Sequence, residues 1–267
     1  MTEGVVNRRT LLRAGAIVPA AMLLPAGVAL AHGKNRPVLT HGVQSGDVTA
    51  DGALVWTRAD RPSRMLVEVS SDPSFRHRRV VRGPLLTPET GGTGKVRLRG
   101  LVPGRRAYYR VVAEDLDGRT RSEGVVGSFT TPPLLRRDVR FVWGGDVAGQ
   151  GWGSNPDLGG MPLFAAMTAR RPDFFVHSGD TVYSDGPLQE KVTLADGRVW
   201  RNVVTPEKLK VAETLDEYRG QFAYNLLDPK VREFAAQVPA YAQWDDHEVT
   251  NNWYPGEILD YCLLGLR

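Results

Sequence analysis

The chain has 267 residues, room for two modest domains or one large one. Its 42% hydrophobic and 24% charged content excludes a fibre or a disordered polyelectrolyte. The net charge of +4 divides into +2 over residues 1–31, +7 over residues 32–131 and −5 over residues 132–267. The basic part carries no nucleic-acid motif, so a pI near 9.3 does not imply nucleic-acid binding, and the acidic part is where a cation site is expected.

Arg8, Arg9 and Arg13 precede an apolar stretch from Ala14 to Leu30, and Ala29-Leu30-Ala31 has the small-x-small form of a cleavage site. This reads as a signal peptide over residues 1–31, and Asn7-Arg-Arg-Thr-Leu-Leu-Arg13 resembles the twin-arginine export signal of bacteria. A membrane-spanning helix fits less well, because the run is short and holds Pro19 and Pro25. The resemblance implies passage through the twin-arginine export machinery as a folded protein. The destination is then the periplasm, cell wall or extracellular space, with no membrane segment after cleavage. Cys262 is the single cysteine, so an intramolecular disulfide is excluded and the core or metals must hold the exported chain.

From about Val38 to Thr131 the pattern is all-β. Ala53–Ala59, Arg64–Asp72, Gly94–Gly100, Ala107–Asp115 and Gly124–Thr131 are short and alternating or β-branched. Asp51-Gly52, Pro103-Gly104 and Asp117-Gly118 mark turns between them. Strands at this spacing predict a small β-sandwich over residues 38–131. The segment Leu98-Arg-Gly-Leu-Val-Pro-Gly-Arg-Arg-Ala-Tyr-Tyr-Arg-Val111 resembles the strand–turn–strand of fibronectin type III domains. Thr130–Asp138 is then a linker, with Pro132-Pro133 ending the last strand, so the sandwich is expected to fold alone.

The rhythm changes over residues 139–267. Val139–Asp146, Pro172–Asp180 and Pro239–Asp246 are apolar runs that each end in aspartate. Gly159–Arg171, Leu215–Leu227 and Asp228–Val238 have helical spacing. Strands alternating with helices predict a layered α/β arrangement, making the whole chain α+β.

Asp146, Asp180 and Asp246 thus sit where predicted strands enter loops, the position at which layered α/β folds bind ligands. Three converging carboxylates repel one another unless cations neutralise them. His247, Asn251, Asn252 and Tyr183 lie near them in sequence, and oxygen donors favour calcium, manganese or ferric iron; a phenolate suits ferric iron. His177 reads as structural, and His32, His41 and His77 as solvated.

The ordered set Gly145-Asp146, Gly179-Asp180-x-x-Tyr183 and Asp246-His247-Glu248 resembles the calcineurin-like metallophosphoesterases, and the tyrosine resembles the purple acid phosphatase variant. His177-Ser-Gly-Asp-Thr-Val-Tyr-Ser-Asp-Gly186 with Trp244-Asp-Asp-His-Glu-Val-Thr-Asn-Asn-Trp253, behind a β-sandwich and an export signal, is similar to the alkaline phosphatase D family. The resemblance implies metal-dependent hydrolysis of phosphate mono- or diesters, small molecules or cell-wall phosphodiesters among them. It assigns Asp146 and Tyr183 to a first metal, ferric iron, and Asp180 to a bridge between metals. Asp246, where the wider superfamily has asparagine, goes to the second metal; calcium or another divalent ion is implied beside the iron. It makes His247 a phosphate contact and proton donor, and gives Asn252 to calcium or phosphate. Either Asp245 or Glu248 could orient His247. Some family members carry cysteine near the first motif, where this chain reads Gly144-Gly-Asp-Val-Ala-Gly-Gln-Gly-Trp-Gly153.

The family pattern continues into later histidine motifs, but no histidine follows His247, and the tail Asp260–Arg267 departs from the polar helix expected there. The sequence therefore predicts only the N-terminal part of the metallophosphoesterase unit, truncated and with its activity in doubt. Two rivals are weaker. His247-Glu-Val-Thr-Asn251 lacks the second histidine of a zinc peptidase, and Gly144–Gly153 lacks the lysine of a phosphate loop. A different class, a non-catalytic secreted protein that binds through its β-sandwich, remains the alternative.

Overall fold

The computed structural model describes residues 36–257. The expected export signal at 1–31, His32 and the tail Asp260–Arg267 lie outside the described residues. Seven strands come first: β1 (Leu39–Gly46), β2 (Ala53–Ala59), β3 (Ser63–Ser70), β4 (Arg79–Leu86), β5 (Thr93–Leu98), β6 (Arg106–Asp115) and β7 (Val125–Thr130). They stack as β5-β2-β1 against β4-β3-β6-β7, three strands on four, with every pairing among them antiparallel.

Alternation explains the packing. In β2, Ala53, Val55, Thr57 and Ala59 turn inward; in β6, Ala107, Tyr109, Val111 and Ala113 do the same. With Val43, Met65, Val67, Leu86, Leu98 and Phe129 they make one core. Each such aliphatic contributes roughly 1.5–3 kcal/mol when fully buried. Strand β4 was not expected, because it is an edge strand with most side chains exposed, so no alternation marks it. Pro84 is tolerated there for the same reason. His41 corrects a second expectation. Its ring is only 8% exposed, with Nδ1 at 2.6 Å from Thr40 Oγ1 and Nε2 at 3.3 Å from Arg58. His77 is exposed, as expected.

The second half contains β8 (Phe141–Gly144), α1 (Pro162–Ala169), β9 (Phe174–His177), the hairpin β10 (Lys191–Thr193) and β11 (Val199–Arg201), α2 (Leu215–Asn225), α3 (Pro229–Gln237) and β12 (Ala240–Ala242). The hairpin had no counterpart in the sequence reading. Helix α2 starts at a capping box in which Thr214 and Glu217 satisfy each other's backbone amides. Helix α3 starts at Asp228, whose side chain accepts from Lys230 N, with Pro229 in the first turn.

Strands β12, β9 and β8 run parallel and extend the sandwich's smaller sheet into one six-stranded sheet, β5-β2-β1-β12-β9-β8. The join is the parallel pairing of Gly46 with Ala240. Glycine is required there, since a Cβ on Gly46 would lie 2.8 Å from the Ala240 carbonyl oxygen. Helix α3 covers both halves. Val231 and Phe234, with Val238 just beyond the helix, pack with Phe164, Phe175 and Leu226, while Ala236 belongs to the sandwich core and its carbonyl accepts from Tyr109 Oη at 3.3 Å. No helix among the described residues is long and apolar enough to cross a membrane.

Candidate metal centre

Because β8, β9 and β12 are parallel neighbours, the loops leaving their carboxyl ends emerge on one edge. The first two are laced together: Asp146 N donates to Gly179 O at 3.2 Å, and Val147 N to Asp180 O at 3.0 Å. Both aspartates adopt left-handed backbone, φ 58° at Asp146 and 52° at Asp180. Such strain in non-glycine residues collects at functional sites, held by surrounding bonds. Gly179, at φ 106°, lets the third loop close on the second, since a Cβ there would meet Asp245 Cβ at 2.4 Å.

Ligand atoms of Asp180, Asp246 and His247 lie within 4.8 Å of one another. Beside them the Tyr183 hydroxyl donates to Asp146 Oδ1 at 2.5 Å. The structure thus brings Asp146, Asp180, Tyr183, Asp246 and His247 to one place. Burial first, then the Asp146 and Asp180 carboxylates, hold the Tyr183 phenol well above its ordinary pKa. Burial likewise raises Asp180, against hydrogen bonds from Tyr183 and the His247 amide. Burial works against the Asp246 carboxylate too, but the Asn252 amide and the His247 ring outweigh it and hold the group low. Carboxylates and a phenol within reach of one another fit a hard cation, whose charge would relieve the repulsion among the carboxylates.

His247 is oriented by a residue the sequence reading missed. Its Nδ1 lies 2.9 Å from both carboxylate oxygens of Asp185, and Asp185 Oδ2 also accepts from Asn251 N at 2.8 Å. Burial lowers the His247 pKa, but the Asp185 carboxylate outweighs it and raises the group above its ordinary value. The Tyr183 ring lies against the imidazole, centroids 4.4 Å apart.

This corrects the expectation that Asp245 or Glu248 orients His247. Glu248, 2% exposed, instead accepts from Thr181 N at 2.6 Å and Asp245 N at 2.9 Å, clamping the second and third loops. Asp245 contributes its amide to that clamp and is exposed. Asn252 is exposed, in left-handed backbone, and its amide donates to Asp246.

Asp185 followed by Gly186 reads as an ordinary turn, which is why it escaped notice; its place two residues beyond Tyr183 was the available signal. Asn225 of α2 was also missed, though its side chain donates to Thr181 O at 2.7 Å. His177 stands apart from the cluster. It is 6% exposed, edge-on to Phe175, with no hydrogen-bond partner at either ring nitrogen. It lines an apolar cavity of about 810 Å³ under α2 and α3.

Comparison with known proteins agrees with this geometry. The profile of the PhoD-like phosphatase covers residues 141–261, and that of the PhoD-like phosphatase N-terminal domain covers residues 25–133. Alkaline phosphatase D of Bacillus subtilis (strain 168) is 28% identical over 228 residues, 80% of this chain and 36% of the relative. The solved structure of PhoD superposes with a TM-score of 0.66 at 26% identity, over 85% of this chain and 43% of that one. The purple acid phosphatase PPD1 of yellow lupin (Lupinus luteus) seeds shares the fold, with a TM-score of 0.50 at 15% identity, over 83% of this chain and 37% of that one. The chain therefore spans well under half the length of these relatives. With both halves of the pattern matched in order, the chain belongs to the PhoD-like phosphatase family.

Proposed function

We propose that this chain hydrolyses phosphate esters at the centre formed by Asp146, Asp180, Tyr183, Asp246 and His247. The observation that carries the reading is the convergence of Asp180, Asp246 and His247 within 4.8 Å, beside the Tyr183–Asp146 pair. Asp146 and Tyr183 would hold one cation and Asp246 another, with Asp180 between them. Such cations, when bound, neutralise phosphoryl charge and supply a nucleophile at neutral pH. Ferric iron at the phenolate and calcium at Asp246 are the assignments that the donor chemistry favours.

The residues themselves account for the proton. With Nδ1 of His247 engaged by Asp185, Nε2 is the ring nitrogen left to face a substrate. The Asp185 carboxylate, which raises its pKa against burial, favours the protonated ring. His247 then donates that proton to the leaving-group oxygen as the phosphorus–oxygen bond breaks. The Tyr183 ring, 4.4 Å from the imidazole and tilted 30° to it, limits its rotation.

Substrates would be phosphate mono- or diesters, cell-wall phosphodiesters included, met after export. The support for export is the Arg8-Arg9 leader followed by an apolar run and Ala31. The test is hydrolysis of p-nitrophenyl phosphate and its bis-ester by purified protein supplied with calcium and iron, beside Asp180→Asn. Metal-dependent turnover lost in the variant is expected. Turnover of neither ester, with no metal bound by the wild-type chain, would overturn the proposal.

A further inference from the structure

Lys208 is the one fully buried lysine or arginine among the described residues, at 1% exposure. It sits in a short turn, Pro206–Leu209, between the hairpin β10–β11 and α2. Nothing proposed above uses it. A buried ammonium survives only where nearby groups compensate it, and an apolar side chain of the same length would fill the space more cheaply. Its surroundings name the compensation. Nζ donates to Tyr183 O at 3.1 Å and lies over the Tyr224 ring, 5.5 Å from its centroid. Burial pulls its pKa down to about 8, against the Asp185 charge that favours the ammonium. The turn is itself fixed, with Leu188 N donating to Lys208 O at 2.6 Å.

The three residues above the ammonium face four ways. The Tyr183 carbonyl points to Lys208 and its phenol to Asp146. The Ser184 amide donates to His247 O at 2.9 Å, and the Asp185 carboxylate faces the His247 ring. One cation beneath this loop thus secures the backbone that aims both the phenol and the carboxylate. We infer that Lys208 is a positioning residue, which sets the Tyr183 phenol and the Asp185–His247 pair for metal and substrate from below. This rests on the metal-centre reading above and extends it to a residue that touches neither metal nor substrate.

The test compares Lys208→Met and Lys208→Arg in the full chain, with two readouts. The first is the visible phenolate-to-iron absorption on adding ferric iron, with Tyr183→Phe as the blank. Lys208→Met should weaken iron binding about tenfold, the size typical of lost outer-sphere support, and shift the band; Lys208→Arg should restore part of both. The second needs no metal: amide hydrogen exchange at Ser184 and Asn251 should quicken in Lys208→Met while strands β2 and β6 keep their protection. Should Lys208→Met not fold, Lys208→Gln, which keeps a donor, is read in the same way. A folded variant with wild-type band and wild-type exchange at Ser184 overturns the inference. So does loss of protection throughout the sandwich in every variant, which would make Lys208 a general packing residue. If iron gives no band even in the wild type, the iron reading of Tyr183 fails, and the exchange result alone decides Lys208.

Discussion

Asp185 and His41 show how a single partner fixes what a titratable side chain does. The Asp185 carboxylate receives the His247 ring on both oxygens and holds it above its ordinary pKa. Asp185→Asn should lower kcat by about 10–100-fold while leaving metal affinity within about twofold, because it touches the proton donor and not the ligand set. Steady-state kinetics beside a metal titration would check this. His41 is the reverse case. Burial first, then Arg58 and Arg232, hold it down to about 4 from 6.5. The folded state therefore keeps it neutral, while the unfolded chain takes up a proton below pH 6.5. Its contribution to stability is intact above about pH 6.5 and is lost as the pH falls to about 4, on the order of 3 kcal/mol in all. Urea unfolding at pH 7.5 and pH 4.5 should show that much less acid dependence in His41→Asn than in the wild type.

At the scale of elements, the site exists because three parallel strands end together and their loops are tied by a few buried bonds. Glu248 is the main tie, with one oxygen on Thr181 N and the other on Asp245 N. Helix α2 adds another through Asn225. Removing the carboxylate leaves backbone amides without partners, so Glu248→Ala should cost about 3 kcal/mol, and Glu248→Gln less. Denaturant midpoints would measure both. Metal affinity should fall in parallel, since Asp180 and Asp246 are carried on the two loops that Glu248 joins.

At the scale of the whole molecule, the sandwich and the layered half share a sheet and a helix. Gly46 pairs with Ala240 across the junction, and α3 sends Phe234 to one core and Ala236 to the other. The two halves should therefore unfold together within this chain. Phe234→Ala, which costs about 3–5 kcal/mol by leaving a cavity, should reduce hydrogen-exchange protection in β9 and β1 alike. Loss confined to β9 would show that the sandwich holds on its own, as its separate strand pattern suggests.

The local features were legible in the residues alone. Alternation marked β2, β3, β5, β6 and β7, helical spacing marked α1, α2 and α3, and apolar runs closed by Asp146, Asp180 and Asp246 marked the strand ends. Those signals are legible because each is a repeat or a punctuation within a few residues. Edge strand β4, with its solvated side chains, offered no such pattern. Partnerships across long separations were not legible at all. That Asp185 and not Glu248 meets the His247 ring, 62 residues away, depends on how two loops close. That Lys208 lies buried beneath Tyr183, and His41 beneath the sandwich surface, depends on which charged groups the fold sets opposite them. A side chain's type fixes the bonds it can make, and only the packed chain decides which partner is near enough to make them.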